Sequence, residues 1–569
     1  MRGGKVMNET GSCIVRRDRT VLLDCAHPNS QAAGRKLGVF AELVKSPPAY
    51  HTYQITPLTL WNAAALGATA DNIIEQLHKL SRWDIPAGLE EEIRLLLSRY
   101  GKLTLHSSAR DPRDIVLRSE DPLLLDELMG GKGLEGMELC RMGALDLSCK
   151  AVFRGDLKQE LTRLGYPVLD YAGYHEGQAL QVKWRDEGEH GIPFRLRNYQ
   201  QEAVKQFQGT VGSGGSGVVV LPCGAGKTVV GMAVLEALQC ETLILTSNTT
   251  SVRQWIEELE RCTNLTEAEI GEYSGEKRQV RPVTVATYQI LTHRRSKGGP
   301  FLHMSLFNER NWGLIIYDEV HLLPAPVFRA TADIQATRRL GLTATLVRED
   351  GREGDVFSLI GPKRYELPWK VLEQQGWIAS VECTEMLVPM NPEWRREYTY
   401  AGKREKFRLA AVNPAKIDAA SRLLEAHQGA GVLVIGQYLD QLTQFSAALG
   451  APLITGKTPQ RERGELYAAF NEGTLPVLIV SKVANFAVNL PDASVAIEVS
   501  GAFGSRQEEA QRLGRILRPK AGENKAYFYT LVSGDSREQE FARQRRMFLT
   551  EQGYEYQVRV EQQSGEEIT

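Results

Sequence analysis

A chain of 569 residues is too long for one hydrophobic core, and ordinary domain sizes divide it into three or four. Hydrophobic residues at 42% and charged residues at 24% are the composition of a soluble globular protein and exclude a wholly disordered one. With 68 basic against 70 acidic residues the formal charge is −2, which excludes a global basic field, so any polyanion must be held by local patches.

The eight cysteines are scattered without a CxxC pair, which predicts a reduced, cytoplasmic setting and no zinc or redox site. The N-terminus lacks the apolar core of a signal peptide, and no run of about 18 apolar residues occurs, so a cytosolic, soluble protein is expected.

From Thr20 to about Ser119 the pattern is mixed: a strand in "TVLLDCA", a helix over Ser30 to Val44, a strand in "HTYQIT", then three helical stretches. In the second of these, "ADNIIEQLHKL", Ile73, Ile74, Leu77 and Leu80 fall on one helical face. A further mixed region, 121–190, holds the helix "DLKQELTRLGY" and the strand-like "ALQVKW", and is expected to connect the first domain to the C-terminal two thirds of the chain.

After Pro193 strands alternate with helices. The apolar runs "GVVVLP", "TLILTS", "VTVAT", "LIIYDE" and "RLGLTAT" predict a parallel sheet covered on both faces. A second series, "GVLVIG", "PLITG", "PVLIVS", "VAIEVS" and "AYFYTLV", predicts another. Two α/β domains in tandem would each place ligand-binding loops at the carboxyl ends of their strands. The glycine-rich "GTVGSGGSG" reads as a flexible loop and the terminal "QQSGEEIT" as a frayed tail.

Phosphate chemistry is concentrated in "LPCGAGKT", a glycine turn between a strand and a helix. Gly224, Ala225 and Gly226 would bring backbone N–H groups to phosphate oxygens, Lys227 would reach the β and γ phosphates, and Thr228 would offer Mg²⁺ a hydroxyl. Leu221 stands where the GxxxxGK[ST] pattern has its first glycine. The strand "GLIIYDEVHLL" places Asp318 and Glu319 at its end, 91 positions after Lys227. Asp318 would hold the metal shell and Glu319 would orient or deprotonate the attacking water. "EEAQRLGRILRP" presents Gln511, Arg512, Arg515 and Arg518; the last two, three apart, share a helix face and could oppose a γ phosphate.

LPCGAGKT, DEVH and QRLGRILR, in this order across two α/β domains, resemble the superfamily 2 helicases and translocases, in which the first glycine of the phosphate loop is commonly absent. "LRNYQQEAV" is similar to the adenine-reading element, with Gln200 as base contact and Arg197 beside it, and "GLTATLVR" to the element that couples hydrolysis to motion through Thr343 and Thr345. Arg348, Glu349 and Asp350 resemble the RED triplet of the XPB family of DNA repair and transcription helicases. "LIGPKRYEL", "VPMNPEWRREY", "VNPAKIDAASRLL", "SRQEEAQRLGRILRPKAG" and the N-terminal "HTYQITPLTLWNAAALGATADNIIEQLHKLSRWDIPAGL" extend the likeness over nearly the whole chain.

The resemblance implies two RecA-like motor domains, 191–367 and 368–569, preceded by a small mixed α/β damage-recognition-like domain over 1–120. It implies ATP and Mg²⁺ as cofactors, 3′ to 5′ polarity, and DNA at single-strand/double-strand junctions as partner. The RED triplet would help open the duplex. A thumb-like insertion near 393–412 would grip DNA through Arg395, Arg396, Lys403, Arg404 and Lys406, with Tyr398, Tyr400 and Phe407 available to stack on bases. A monomer near the nucleoid, working with a repair nuclease or other repair protein, fits this picture. One departure stands out: Ala484, Asn485 and Asn489 occupy positions where the family usually has a Gly-Asp pair and an aspartate. A double-strand translocase, a damage-binding scaffold with a weakened motor, and RNA as substrate remain alternative readings of the residues.

Overall fold

The computed structural model describes residues 11–45, 49–131, 133–185, 195–209, 215–222, 224–296, 299–335, 337–344, 352–481, 493–501, 524–551, 554 and 556–561. Four sheets organise them.

The first sheet is antiparallel and comprises β1 (Cys13–Val15), β2 (Thr20–Asp24), β3 (Glu42–Lys45) and β4 (Tyr50–Gln54), in the order β1-β2-β4-β3. Helices Pro57–Ala65, Ala70–Leu80 and Leu89–Ser98 come after it in the chain. Ile73, Ile74, Leu77 and Leu80 are all buried, as their spacing predicts, each contributing roughly 1.5–3 kcal/mol through burial. The helix expected over Ser30 to Val44 ends at Leu37, and its second half is β3. Gly34 and Gly38 weaken a helix there, and Leu43 finds burial opposite Tyr53 of β4 instead.

The second sheet holds β5 (Leu103–Ser107), β6 (Asp114–Ser119), β7 (Cys140–Arg141), β8 (Asp146–Lys150) and β9 (Val168–Tyr171), in the order β7-β8-β6-β5-β9. A division at residue 120 would therefore pass between strands that pair with each other, since β6 lies against β8. The strand expected in "ALQVKW" is not formed. Ala179 and Trp184 make isolated bridges to Cys240 and Thr263, and Val182 is buried, so this stretch lies along the neighbouring domain.

Two seven-stranded sheets, parallel throughout, make up the rest. One contains β10 (Ser216–Val220), β11 (Thr242–Thr246), β12 (Ile270–Tyr273), β13 (Val283–Thr287), β14 (Leu314–Asp318), β15 (Arg338–Thr343) and β16 (Lys363–Glu366), ordered β12-β13-β11-β14-β15-β10-β16. The other contains β17 (Ser380–Val388), β18 (Val432–Gly436), β19 (Leu453–Ile454), β20 (Val477–Ser481), β21 (Val495–Glu498), β22 (Lys525–Ser533) and β23 (Tyr556–Val560), ordered β19-β20-β18-β21-β22-β17-β23. All ten apolar runs read from the sequence are strands of these sheets. The four added strands β12, β16, β17 and β23 carry polar residues that mask a continuous apolar run.

The second sheet's unit is fastened to the first parallel-sheet domain by buried charge. Arg154 Nη2 donates to Asp170 Oδ1 (2.8 Å), while Lys158 Nζ reaches Asp170 Oδ2 (3.0 Å) and, across the boundary, Gln335 Oε1 (2.9 Å). A Cβ on Gly155 would lie 2.3 Å from the Ala332 carbonyl oxygen, so only glycine permits this approach between the helices Arg154–Arg163 and Ala325–Asp333. The N-terminal domain also meets that motor, where the Lys363 N–H donates to Asn62 Oδ1 (3.2 Å). No described helix is long and apolar enough to cross a membrane.

Candidate nucleotide site and nucleic-acid surface

β10 is buried at every residue and delivers the chain into the glycine turn. Leu221 is fully buried, and its N–H donates to the Thr343 carbonyl (3.0 Å), continuing the pairing of β10 with β15. A residue that prolongs the sheet needs no left-handed backbone, which explains why this position does without glycine. The turn itself does need it: Gly224 and Gly226 have φ of +80° and +76°. A Cβ on Gly226 would sit 2.6 Å from Gln200 Nε2.

Gly226 is followed directly by the helix Lys227–Leu238, whose N-terminus no side chain caps. Its first N–H groups and the positive end of its dipole therefore face the turn, the arrangement that favours an anion. Lys227 and Thr228 open this helix, partly buried.

β14 brings the carboxylates to the same place. Asp318 is its last residue, and Glu319 adopts a left-handed backbone, φ 51° and ψ 53°, costly for a non-glycine residue and most often met at functional sites. Asp318 Oδ2 accepts the Trp255 indole N–H (2.9 Å) and Oδ1 accepts the Glu319 backbone N–H (3.0 Å). Lys227 Nζ lies 3.4 Å from Glu319 Oε1. His321 Nδ1 lies 3.5 Å from Glu319 Oε2 and hydrogen-bonds Thr343 Oγ1 at 2.7 Å, joining the ends of β14 and β15.

These surroundings separate the two carboxyls. Burial, reinforced by the neighbouring Glu319 charge, pushes Asp318 up to about 6. Burial acts on Glu319 in the same sense but is outweighed by Lys227 and then His321, which hold it below the usual range. Glu319 is thus kept ionised, as a base or water-orienting group must be.

The elements at the start of the first motor close over the turn. Tyr199 Oη donates to the Ala225 carbonyl (2.8 Å), as does Gln200 Nε2 (3.1 Å), and Gln200 Oε1 accepts the Arg197 N–H (3.0 Å). Arg197 lies over the Trp377 ring at 4.5 Å and donates to Tyr199 Oη (3.1 Å). Gln200 is thus also tied to the backbone of the phosphate turn itself, a link that its sequence position does not disclose.

An uncapped helix N-terminus beside two left-handed glycines, with one lysine, one hydroxyl and two carboxylates, is a donor set that fits a nucleotide phosphate and its Mg²⁺. Lys227, Thr228, Asp318, Glu319, Thr343, Gln200, Ala225 and Gly226 are all within this assembly. Thr345, the triplet Arg348, Glu349 and Asp350, and Ala484, Asn485, Asn489, Gln511, Arg512, Arg515 and Arg518 lie outside the described residues. The sequence gives no role to Trp255, Tyr199 or Trp377; the bonds of Trp255 to Asp318 and of Tyr199 to Ala225 span 63 and 26 positions, and Trp377 meets Arg197 from beyond β16, so no local pattern marks them.

The insertion between β17 and β18 forms two helices, Pro392–Tyr400 and Lys403–Ala411. The three aromatics there differ. Phe407 is buried edge-on against Phe541 (5.0 Å), which removes it from base stacking. Tyr398 Oη accepts the Arg537 N–H (3.0 Å), and Lys406 Nζ lies 5.6 Å from its ring centre. Tyr400 is 89% exposed. Arg395 pairs with Asp535 (2.9 Å); the Arg404 side chain lies outside the described residues.

Tandem parallel sheets with a phosphate turn, a paired acidic strand end and a link between them define a RecA-like motor of the helicase class. The model described as ERCC3/RAD25/XPB C-terminal helicase matches residues 372–569, that of the type III restriction enzyme res subunit residues 193–348, and that of a helicase conserved C-terminal domain residues 13–143. The chain is 50% identical to the "DNA 3'-5' helicase XPB" of Kineococcus radiotolerans over 548 residues, 96% of each chain. It is 50% identical to the protein of the same name from Mycobacterium tuberculosis over 550 residues, 96% of this chain and 98% of that one. Identity to the "General transcription and DNA repair factor IIH helicase/translocase subunit XPB" of Enterocytozoon bieneusi is 32% over 561 residues, 95% of this chain and 91% of that one. The chain belongs to the XPB family of superfamily 2 helicases.

Proposed function

We propose that the protein is an ATP-dependent DNA helicase of 3′ to 5′ polarity that opens duplex DNA during repair. One observation carries the chemistry: Lys227, Asp318 and Glu319 meet at the carboxyl ends of β10 and β14, with Lys227 Nζ 3.4 Å from Glu319 Oε1. When bound, Mg²⁺-ATP supplies the bond whose cleavage drives the motor, and the metal offsets phosphate charge. Lys227, Thr228 and Asp318 would hold it; Glu319 would orient the attacking water or take its proton, positioned by its strained backbone and by His321. The His321–Thr343 bond links this chemistry to the end of β15, from which the chain continues toward Arg348, Glu349 and Asp350.

Arg515 and Arg518 are assigned to the γ phosphate and Gln511, Gln200 and Arg197 to the nucleotide, while Arg348, Glu349, Asp350, Arg395, Arg396, Lys403, Arg404 and Lys406 are assigned to DNA. The small mixed domain over 1–120 is assigned to lesion recognition and 121–190 to the connection with the motors, and a repair nuclease or similar protein is the expected partner of a monomer close to the nucleoid.

The test is ATP hydrolysis with and without DNA, and strand displacement on duplexes tailed at either end, for the wild type beside Lys227→Ala. DNA-stimulated hydrolysis with displacement only from the 3′ tail is expected, with both lost in the variant. Hydrolysis without displacement would replace the helicase by a double-strand translocase. Hydrolysis unchanged in Lys227→Ala would remove the site.

A further inference from the structure

Asp318 is held by a side chain that no motif contributes. Trp255 lies on the helix Thr249–Cys262, which comes after β11, and its ring is 1% exposed. Its Nε1–H donates to Asp318 Oδ2 at 2.9 Å, while Oδ1 is taken by the Glu319 N–H at 3.0 Å. With one fixed donor on each oxygen, the carboxylate plane cannot rotate about its last bond without breaking a hydrogen bond. The lone pairs left over keep a constant direction.

The pocket is built around the whole indole. A Cβ on Gly231, one turn into the helix Lys227–Leu238, would lie 2.5 Å from the ring atom Cη2, so that helix leaves room for a ring of this size only by having glycine there. Phenylalanine would remove the donor but would also leave part of this pocket empty, so only a bicyclic ring without the N–H separates the hydrogen bond from the packing. An indole N–H, unlike a hydroxyl or an imidazole, donates only and cannot turn round to accept. It therefore supports Asp318 solely as an acceptor. Donors of this type, behind a metal-holding carboxylate, fix its orientation and strengthen metal affinity.

We propose that Trp255 is a positioning residue for the metal-nucleotide complex: through its indole N–H it orients the Asp318 carboxylate that takes the Mg²⁺ shell. This rests on the assignment of Asp318 to the metal. It also ties the helix after β11 to the nucleotide site, so that a displacement of the helix Thr249–Cys262 would be felt at that carboxylate.

The experiment uses the full chain with Trp255→Phe and, separately, with benzothienylalanine at 255, which keeps the bicyclic ring and replaces the N–H by sulfur. Affinity for a fluorescent ATP analogue is measured in EDTA and in Mg²⁺, and Mn²⁺ binding to the nucleotide complex is monitored by electron paramagnetic resonance. Expected is a loss of about tenfold in the metal-dependent part of the affinity in both variants, with the EDTA value held and thermal unfolding of the benzothienylalanine protein close to wild type. Metal-dependent affinity within twofold of wild type in the benzothienylalanine protein would overturn the proposal and leave Trp255 as core packing. A wild type whose affinity ignores metal would instead overturn the assignment of Asp318 beneath it.

Discussion

The molecule buries charge in two places for opposite ends. Around Asp170, both carboxylate oxygens are taken, Oδ1 by Arg154 and Oδ2 by Arg154 and Lys158, and Lys158 goes on to Gln335. All three charged side chains are 5–6% exposed, and the cluster joins the second small sheet to the first motor with both Asp170 oxygens used within the protein. Around Lys227 the balance is reversed. Two adjacent carboxylates share the site with one lysine, which lies 3.4 Å from Glu319, the one on a strained backbone, while the other, Asp318, is pushed up to about 6. The difference teaches how buried charges divide: the carboxylate that joins two units is saturated by cations of the protein, whereas at the proposed site Asp318 has only one protein donor on each oxygen and keeps acceptor capacity.

The largest effect that tests this contrast is at Glu319. Glu319→Gln should lower the steady-state rate of ATP hydrolysis by about 10²–10⁴-fold while filter-binding affinities for DNA and ATP persist. Parental turnover would show that the strained carboxylate is not the base.

At the Asp170 cluster the effect should fall on stability and spare chemistry. Asp170→Ala leaves Arg154 and Lys158 buried without their counter-charge and should cost about 3–5 kcal/mol, read as an early urea transition of the first motor and its attached small sheet. Hydrolysis per folded molecule should be unaltered. Equal damage to hydrolysis would mean that the two clusters are not separate.

The smallest effect has the opposite sign. Because the folded-state carboxyl of Asp318 is raised above the usual range, the native state binds more protons than the unfolded chain between about pH 4 and 6, so its ionisation costs stability as pH rises through that window. Asp318→Asn removes that ionisation, although its amide keeps only one acceptor for the Trp255 and Glu319 N–H donors, which lowers stability equally at every pH. In metal-free buffer the stability of the variant relative to wild type should therefore rise by about 2 kcal/mol between pH 4 and pH 7, in melts across that range.

The phosphate turn and the acidic strand end were legible because each is a local pattern: an apolar strand, glycines where the backbone turns left-handed, then a helix opening with Lys227, or a strand closing on Asp318. The helix Ala70–Leu80 was legible for the same reason, through its period. The stretch 30–44 misled because Leu43 suits a helix face and a strand face equally, and its choice rested on Tyr53 across the sheet. Phe407 could not be told from a stacking residue, since only the position of Phe541 buries it.

The amino-acid order by itself thus determined the two parallel-sheet domains, the nucleotide turn and the family, all written in short-range periodicity and contiguous motifs. Tertiary structure alone decided what surrounds them. The Trp255–Asp318 bond spans 63 positions and the Lys158–Gln335 bond 177, and no spacing rule connects residues so far apart in the chain. Their meeting is set by how helices pack on sheets, where a hydrogen bond is favourable only after the surrounding core has excluded water and offset the entropy of ordering both partners.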